Sequence, residues 1–253
     1  MISYASELDG LRIAGLSRLM LHEAHDPERL SRLKERVRSE GVQSNPVIVS
    51  AHGDDFLVLD GAHRVHALKD LGCSLALIQE VELPNRTESW QHLLTGSNLE
   101  ALNGIEDLED SGDDFLAEVE VFGGERLVVS TREKDLSLEV ALLWRLQNLY
   151  SEGSVVTRVE PDEKVSLSDG EILIRYRSFS MAELVEIVAG NTVLPAGITR
   201  FRVPRRILGV CFPLDFLKKG DADSASAELE SLIESRQREN RIRRYDEPVT
   251  LFE

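Results

Sequence analysis

The stretch Leu59-Asp60-Gly61-Ala62-His63-Arg64 decides how this chain is read. An apolar run from Phe56 to Leu59 ends on an acid, and a glycine turns the chain. A helical pattern follows, with Val65 and Leu68 on its buried face and Gly72 as its stop. The first N–H groups of a helix have no acceptors within it. Together with the helix dipole they favour an anion. His63 and Arg64 place side-chain donors at the same point, and a guanidinium grips phosphate or carboxylate through two parallel hydrogen bonds. Asp60, at the carboxyl end of its strand, can hold a metal ion that bridges phosphate oxygens. A plainer reading stays open, with Asp60 as a helix cap and Arg64 as its surface partner.

Working outward, Asp26-Pro27 starts a helix with Leu30, Leu33 and Val37 on one face, and Gly41 ends it. Pro46 precedes a strand from Val47 to Ser50, and His52-Gly53-Asp54-Asp55 is a turn. Leu75 to Val81 is a further strand. With Phe56–Leu59 and the helix from Gly61 to Leu71 it reads as a parallel, right-handed βαβ unit. Downstream, Gly123-Gly124 joins a hairpin of 119–122 and 127–130, and a helix spans about 135–150. Strands are expected at 155–159 and 171–176, a helix at 180–189 behind the capping box Ser180/Glu183, a strand at 207–212, a charged helix at 222–243 and a last strand at 248–252. The fold class is therefore α/β, or α+β.

The 253 residues suffice for one large domain or two small ones. The formal net charge is −16. It is −4 up to position 94 and −5 from 116 onward, and the seven acids between 95 and 115 meet no basic residue. The chain thus divides into an N-terminal unit 1–94, an acidic linker 95–115 and a C-terminal unit 116–253. So acidic a chain repels a phosphate backbone, whereas a small anionic ligand needs only a few donors in one place. No apolar run approaches the roughly 18 residues of a membrane span, and no basic-then-apolar leader is visible, so a cytoplasmic protein without a membrane partner is expected. Cys73 and Cys211 match no metal or disulfide spacing and read as buried small hydrophobes.

Other residues with chemical potential are scattered. Glu23, in His22-Glu23-Ala24-His25, suits a general base in a loop facing a cleft, or is an exposed loop acid. Trp90 closes a pocket or packs at the junction of the units. Thr199 and Arg200 serve one ligand only if the backbone there is irregular, since neighbouring strand side chains face opposite ways; an edge strand with exposed polar groups is the alternative. Arg202, Arg205 and Arg206 form a basic cluster.

Taken together, Leu21-His22-Glu23, Asn45-Pro46-Val47, Asp60 to Arg64, Leu71-Gly72-Cys73, Ser89-Trp90-Gln91-His92 and Pro195 to Phe201 resemble the ParB/sulfiredoxin-like nucleotide-binding fold. Within it the chain is similar to the free L-serine kinases, nearest to their siderophore-associated branch. Ala62 stands where sulfiredoxins carry a required cysteine, and His63 precedes a single arginine where ParB proteins pair two. The resemblance implies a nucleotide-binding N-terminal domain, a mixed α/β substrate domain and an active site in the cleft between them. It implies phosphoryl transfer from ADP or ATP, with magnesium, to L-serine, giving O-phospho-L-serine for siderophore or cysteine precursors. It assigns Glu23 as base, Asp60 to Arg64 (Gly61, Ala62 and His63 included) to the nucleotide phosphates, Asp60 to the metal, His63 and Arg64 to the transferred group, and Trp90, Thr199 and Arg200 to the acceptor. The alternative is a nucleotide-binding regulator or DNA-binding adaptor without turnover. Oligomeric state is open, and the helix 222–243 can pair with a copy of itself.

Overall fold

A computed structural model describes residues 8, 10–82, 87–96, 115–131, 135–150, 153–203 and 205–245. The acidic linker falls almost wholly on 97–114, and the expected strand 248–252 also lies outside the described residues. From the N-terminus the elements are β1 (Leu11–Gly15), β2 (Leu19–Leu21), α1 (Pro27–Glu40), β3 (Val42–Gln43), β4 (Val47–His52), β5 (Asp55–Asp60), α2 (Ala62–Asp70) and β6 (Leu75–Glu80). They continue as β7 (Glu88–Ser89), β8 (Gln91–Thr95), β9 (Ala117–Val121), β10 (Arg126–Val129), α3 (Leu136–Leu146), β11 (Val155–Val159), β12 (Glu171–Tyr176) and α4 (Met181–Ala189). Last come β13 (Thr199–Arg200), β14 (Phe212–Pro213), α5 (Leu214–Lys219) and α6 (Ala222–Arg238).

Local chemistry sets most of these boundaries. Asp26 caps α1 by accepting from the Arg29 amide at 2.8 Å, and Gly41 ends it in the left-handed region at φ 68°. Ser180 and Glu183 make a reciprocal capping box on α4. The expected strand 207–212 shrinks to the two residues of β14.

Two five-stranded sheets form the body. The first has the order β1-β6-β4-β5-β2 and mixes directions: β4 runs antiparallel to β5 and parallel to β6, and β2 runs parallel to β5. The expected parallel βαβ unit is therefore not formed. The turn at 52–55 folds β4 and β5 into a hairpin, so β4 stands between β5 and β6 and those two strands run in opposite directions. The second sheet, β10-β9-β12-β8-β11, is antiparallel throughout. β8 joins it from before the acidic stretch, while β14 pairs with β3, and α5 and α6 pack on β6 and β1.

Side-chain alternation on the hairpin links the two cores. Phe56 and Val58 join Val65, Leu68, Phe212 and Leu217 on one face. Leu57, Leu59 and Ile48 join Leu94, Leu143, Ile174 and Leu194 on the other. The first sheet is thus buried on both sides, by its own helices and by the second sheet's unit. At Ile48/Val49 the hairpin register shifts, so that Ile48 faces Asp60 and Val49 faces Val58. Such an irregularity bends the strand and re-aims its end, here at the residue that opens the Asp60–Arg64 turn. Cys73 is buried as expected, and Cys211 is half-buried with φ at +52°.

Phe212, fully buried, ties the C-terminal segment to the first core. Phe212→Ala is expected to lower unfolding free energy by about 3–5 kcal/mol, read as a shifted urea midpoint.

Candidate active site

Between the two sheets lies a cavity of about 1190 Å³. The end of β2, the Asp60–Arg64 turn, α1, β11 and the segment from Gly197 to Arg206 line it. Eight arginines face it (Arg29, Arg32, Arg36, Arg64, Arg158, Arg200, Arg202 and Arg206) against the carboxylates of Glu23 and Asp60. In a chain of net charge −16, this is where positive charge is gathered, and a low-dielectric cleft strengthens its pull on anions.

The turn meets the requirements of an anion site. Gly61 sits at φ 114°, a conformation that side chains rarely adopt, and gives α2 no side-chain cap. Arg64 folds back over it: a Cβ on Gly61 would lie 2.8 Å from Arg64 Nε. Arg64 Nη2 is 3.5 Å from Asp60 Oδ1, and Arg206 is ion-paired to Oδ2. Burial alone would raise the Asp60 pKa, but the Arg64 and Arg206 guanidiniums outweigh it and hold the carboxyl below its ordinary range. His63 Nε2 accepts the Asp26 amide proton at 3.0 Å. Burial, helped by the charge of Arg29, lowers its pKa to about 4. His63 therefore enters the site neutral, offering an Nδ1 hydrogen but no second positive charge.

Glu23 is clasped from the far side of the cleft. Its backbone bridges to Leu194, with Leu194 N–H donating to His22 O and Ala24 N–H to Leu194 O, both at 2.8 Å. Its carboxylate accepts from Gly197 N–H at 2.9 Å, Thr199 N–H at 2.6 Å and Thr199 Oγ1 at 2.6 Å. A carboxylate only accepts, so the Thr199 hydroxyl hydrogen points to it. That leaves Thr199 Oγ1 to accept from His22 Nε2 at 2.8 Å. Burial lowers the pKa of His22 against the pull of Glu23, so the ring is neutral.

A buried chain of hydrogen bonds stands behind Gly197. His92 Nε2 donates to the Gly197 carbonyl at 2.8 Å, and Tyr150 donates to His92 Nδ1 at 2.5 Å. Tyr176 then donates to Tyr150 at 2.7 Å. Burial lowers His92 to about 4 and raises Tyr150 to about 12, so the chain stays neutral.

Trp90 and Arg200 also meet here. The guanidinium stacks over the indole at 4.7 Å, but it is committed to Glu88 and Glu160. The bridge β7–β13 holds both in place, with Trp90 N–H donating to Ile198 O at 2.9 Å. Arg202 shares Glu88.

No protein-family profile matches the chain. Two curated relatives do. The ATP-dependent L-serine kinase SbnI of Staphylococcus aureus is 27% identical over 219 residues, covering 83% of this chain and 85% of that one. An ATP-dependent L-serine kinase of Staphylothermus marinus is 29% identical over 226 residues, covering 80% and 89%. The chain is similar to both of these ATP-dependent L-serine kinases over most of its length.

Solved structures share the fold. SbnI of Staphylococcus aureus with a C-terminal truncation superposes with a TM-score of 0.78 at 23% identity, over 90% of this chain and 98% of that one. A free serine kinase in complex with AMP gives 0.60 at 17% identity, over 82% and 93%.

Every residue to which the resemblance assigned a role lines one cavity: Glu23, Asp60, Gly61, Ala62, His63, Arg64, Trp90, Thr199 and Arg200. The sequence reading missed Arg29, Arg32 and Arg36 on α1, and Arg158 on β11. The spacing i, i+3, i+7 marks the α1 arginines as one helical face, a signal that was there to be used. Arg158 had none, because a strand arginine among Val155, Val156 and Thr157 reads as solvated.

The neutral histidines carry a pH signature. Below pH 6.5 the unfolded chain binds protons at His63 and His92 that the folded protein refuses until about pH 4. Stability is therefore expected to fall with pH through that window and to be flat above it. His92 alone contributes on the order of 3 kcal/mol. Urea titrations at pH 7.5, 6, 5 and 4.5 check this; a midpoint that holds steady down to pH 5 would refute neutral, buried imidazoles.

Proposed function

We propose that the chain is a free L-serine kinase that transfers the terminal phosphoryl group of ATP to the serine hydroxyl. The observation that carries this reading is a cavity facing both ways: a cationic turn on one wall and a carboxylate fixed by three donors on the other. The curated relatives are named ATP-dependent L-serine kinases, and a related solved structure holds AMP.

In this reading the N-terminal unit holds the nucleotide, with its phosphates on the amides of residues 62–64 and on Arg64. The C-terminal unit brings the acceptor, against Trp90. Glu23 Oε2 carries one hydrogen bond and keeps room for a second proton donor, the serine hydroxyl. Serine Oγ forms the new bond to phosphorus, the bond to the ADP oxygen breaks, and the hydroxyl proton passes to Glu23. Phosphoryl transfer asks for positioning and charge stabilisation more than covalent chemistry. His63 gives one neutral donor at the turn. Thr199 orients Glu23, and Arg200 braces Trp90.

Magnesium fits as part of the nucleotide substrate. Among the described residues no cluster of three His, Cys, Asp or Glu side chains could hold an ion alone. Asp60 is ionised, and its Oδ1 has only the 3.5 Å contact to Arg64, which leaves it free for an ion shared with phosphate oxygens. Bound there, the ion neutralises phosphate charge. Among the described residues no helix is long and apolar enough to cross a membrane. We place the reaction in the cytoplasm, with phosphoserine feeding siderophore or cysteine precursors.

The test is phosphoserine formation from serine and magnesium with ATP and, in a parallel arm, ADP. Product with ATP is expected; none with either donor refutes the reading and favours a nucleotide-binding regulator. Glu23→Gln should keep ATP binding while turnover falls about 10²–10⁴-fold; near-normal turnover removes Glu23 from the mechanism. Arg64→Ala should weaken ATP binding about tenfold or more, measured by calorimetry, and unchanged affinity would displace the phosphates from the turn.

A further inference from the structure

Arg158 projects from β11, the edge strand of the second sheet, beside His92 in the register with β8. Its guanidinium lies against the α-carbon of Gly197, where a Cβ would collide with Nη2. Gly197, at φ 81°, must be glycine both for its backbone and for this approach. Its N–H is one of the three donors to Glu23. The guanidinium therefore stands next to the clasp that holds the carboxylate. It is also near enough to Glu23 and Asp60 for both charges to act on it.

The other arginines on the Asp60 and Trp90 walls are already spent. Arg64 and Arg206 hold Asp60, Arg200 holds Glu88 and Glu160, and Arg202 holds Glu88. Arg29, Arg32 and Arg36 stand on α1. Arg158 alone comes from the second sheet, and among the described residues it has no carboxylate or hydrogen-bond partner. The side chain is exposed to the cleft, so its guanidinium can reach an anion that arrives between the turn and Glu23.

We propose that Arg158 is a catalytic residue that hydrogen-bonds the phosphoryl group in transit, supplied by the substrate side of the cleft. This rests on the kinase reading above. As serine Oγ bonds to phosphorus and the bond to ADP lengthens, charge spreads over the three equatorial oxygens. The planar guanidinium meets two of them with parallel N–H donors and undergoes no covalent change. The Arg64–Asp60 side steadies the departing ADP.

Arg158→Ala and Arg158→Lys test this beside the wild type. Turnover should fall about 10³-fold or more in both, the range seen when such an arginine is removed. The serine KM and ADP affinity should stay within about threefold, and guanidinium ion should restore part of the Arg158→Ala turnover. ADP with aluminium fluoride, which mimics the phosphoryl group in transit without needing serine turnover, should bind the wild type more tightly than ADP alone, and Arg158→Ala should lose that gain. A raised serine KM with turnover kept, a loss of ADP affinity, or an undiminished aluminium fluoride gain would each overturn the assignment. Wild-type protein that makes no phosphoserine yet shows an Arg158-dependent gain would instead refute serine as acceptor and leave the arginine in place.

Discussion

The clasp on Glu23 is the interaction on which the site depends. One carboxylate, carried at the end of β2 in the first sheet, accepts two backbone N–H groups and a hydroxyl from residues 197–199 of the other wall. Hydrogen bonds to an ionised acceptor are stronger than neutral ones. They fix the carboxylate's direction and fasten the two walls together at the place where chemistry would occur. The same clasp explains the neutral layers behind it. His22 orients the Thr199 hydroxyl, and the His92–Tyr150–Tyr176 chain orients the Gly197 peptide. Had either imidazole been charged, a buried cation would have competed for Glu23.

Charge is distributed with the same economy. An acidic chain concentrates eight arginines around one cavity and then commits several of them to Asp60, Glu88 and Glu160. The paired arginines build the walls. The unpaired ones leave a positive field in the cavity. With the chain as a whole carrying a net charge of −16, a field confined to one cavity suits a small anion better than an extended phosphate backbone.

Local chemistry made much of this legible in advance. Asp26, Pro27 and Gly41 bound α1, Ser180 and Glu183 start α4, and Gly61 turns β5 into α2, all through groups within a few residues of one another. The βαβ reading failed because strand order is not a local property. The pattern of Phe56–Leu59, Gly61–Leu71 and Leu75–Val81 is compatible with either direction, and the hairpin at 52–55 settled it by filling the place between β5 and β6. The two-residue β14 was likewise shorter than its apolar run, since only the segment facing β3 found a partner.

What the sequence determined by itself is the set of helix ends and the tight turns, the Asp60–Arg64 turn among them, because these are decided by backbone donors, caps and glycine conformations close together along the chain. Only the tertiary structure decided which arginines are spent and which are free, that His63 is neutral, and that Glu23 meets Gly197 and Thr199 across 174 and 176 residues of chain. The physical reason is separation. A side chain's charge state and partners depend on what packing brings within a few ångströms, and no periodicity in the neighbouring residues records it.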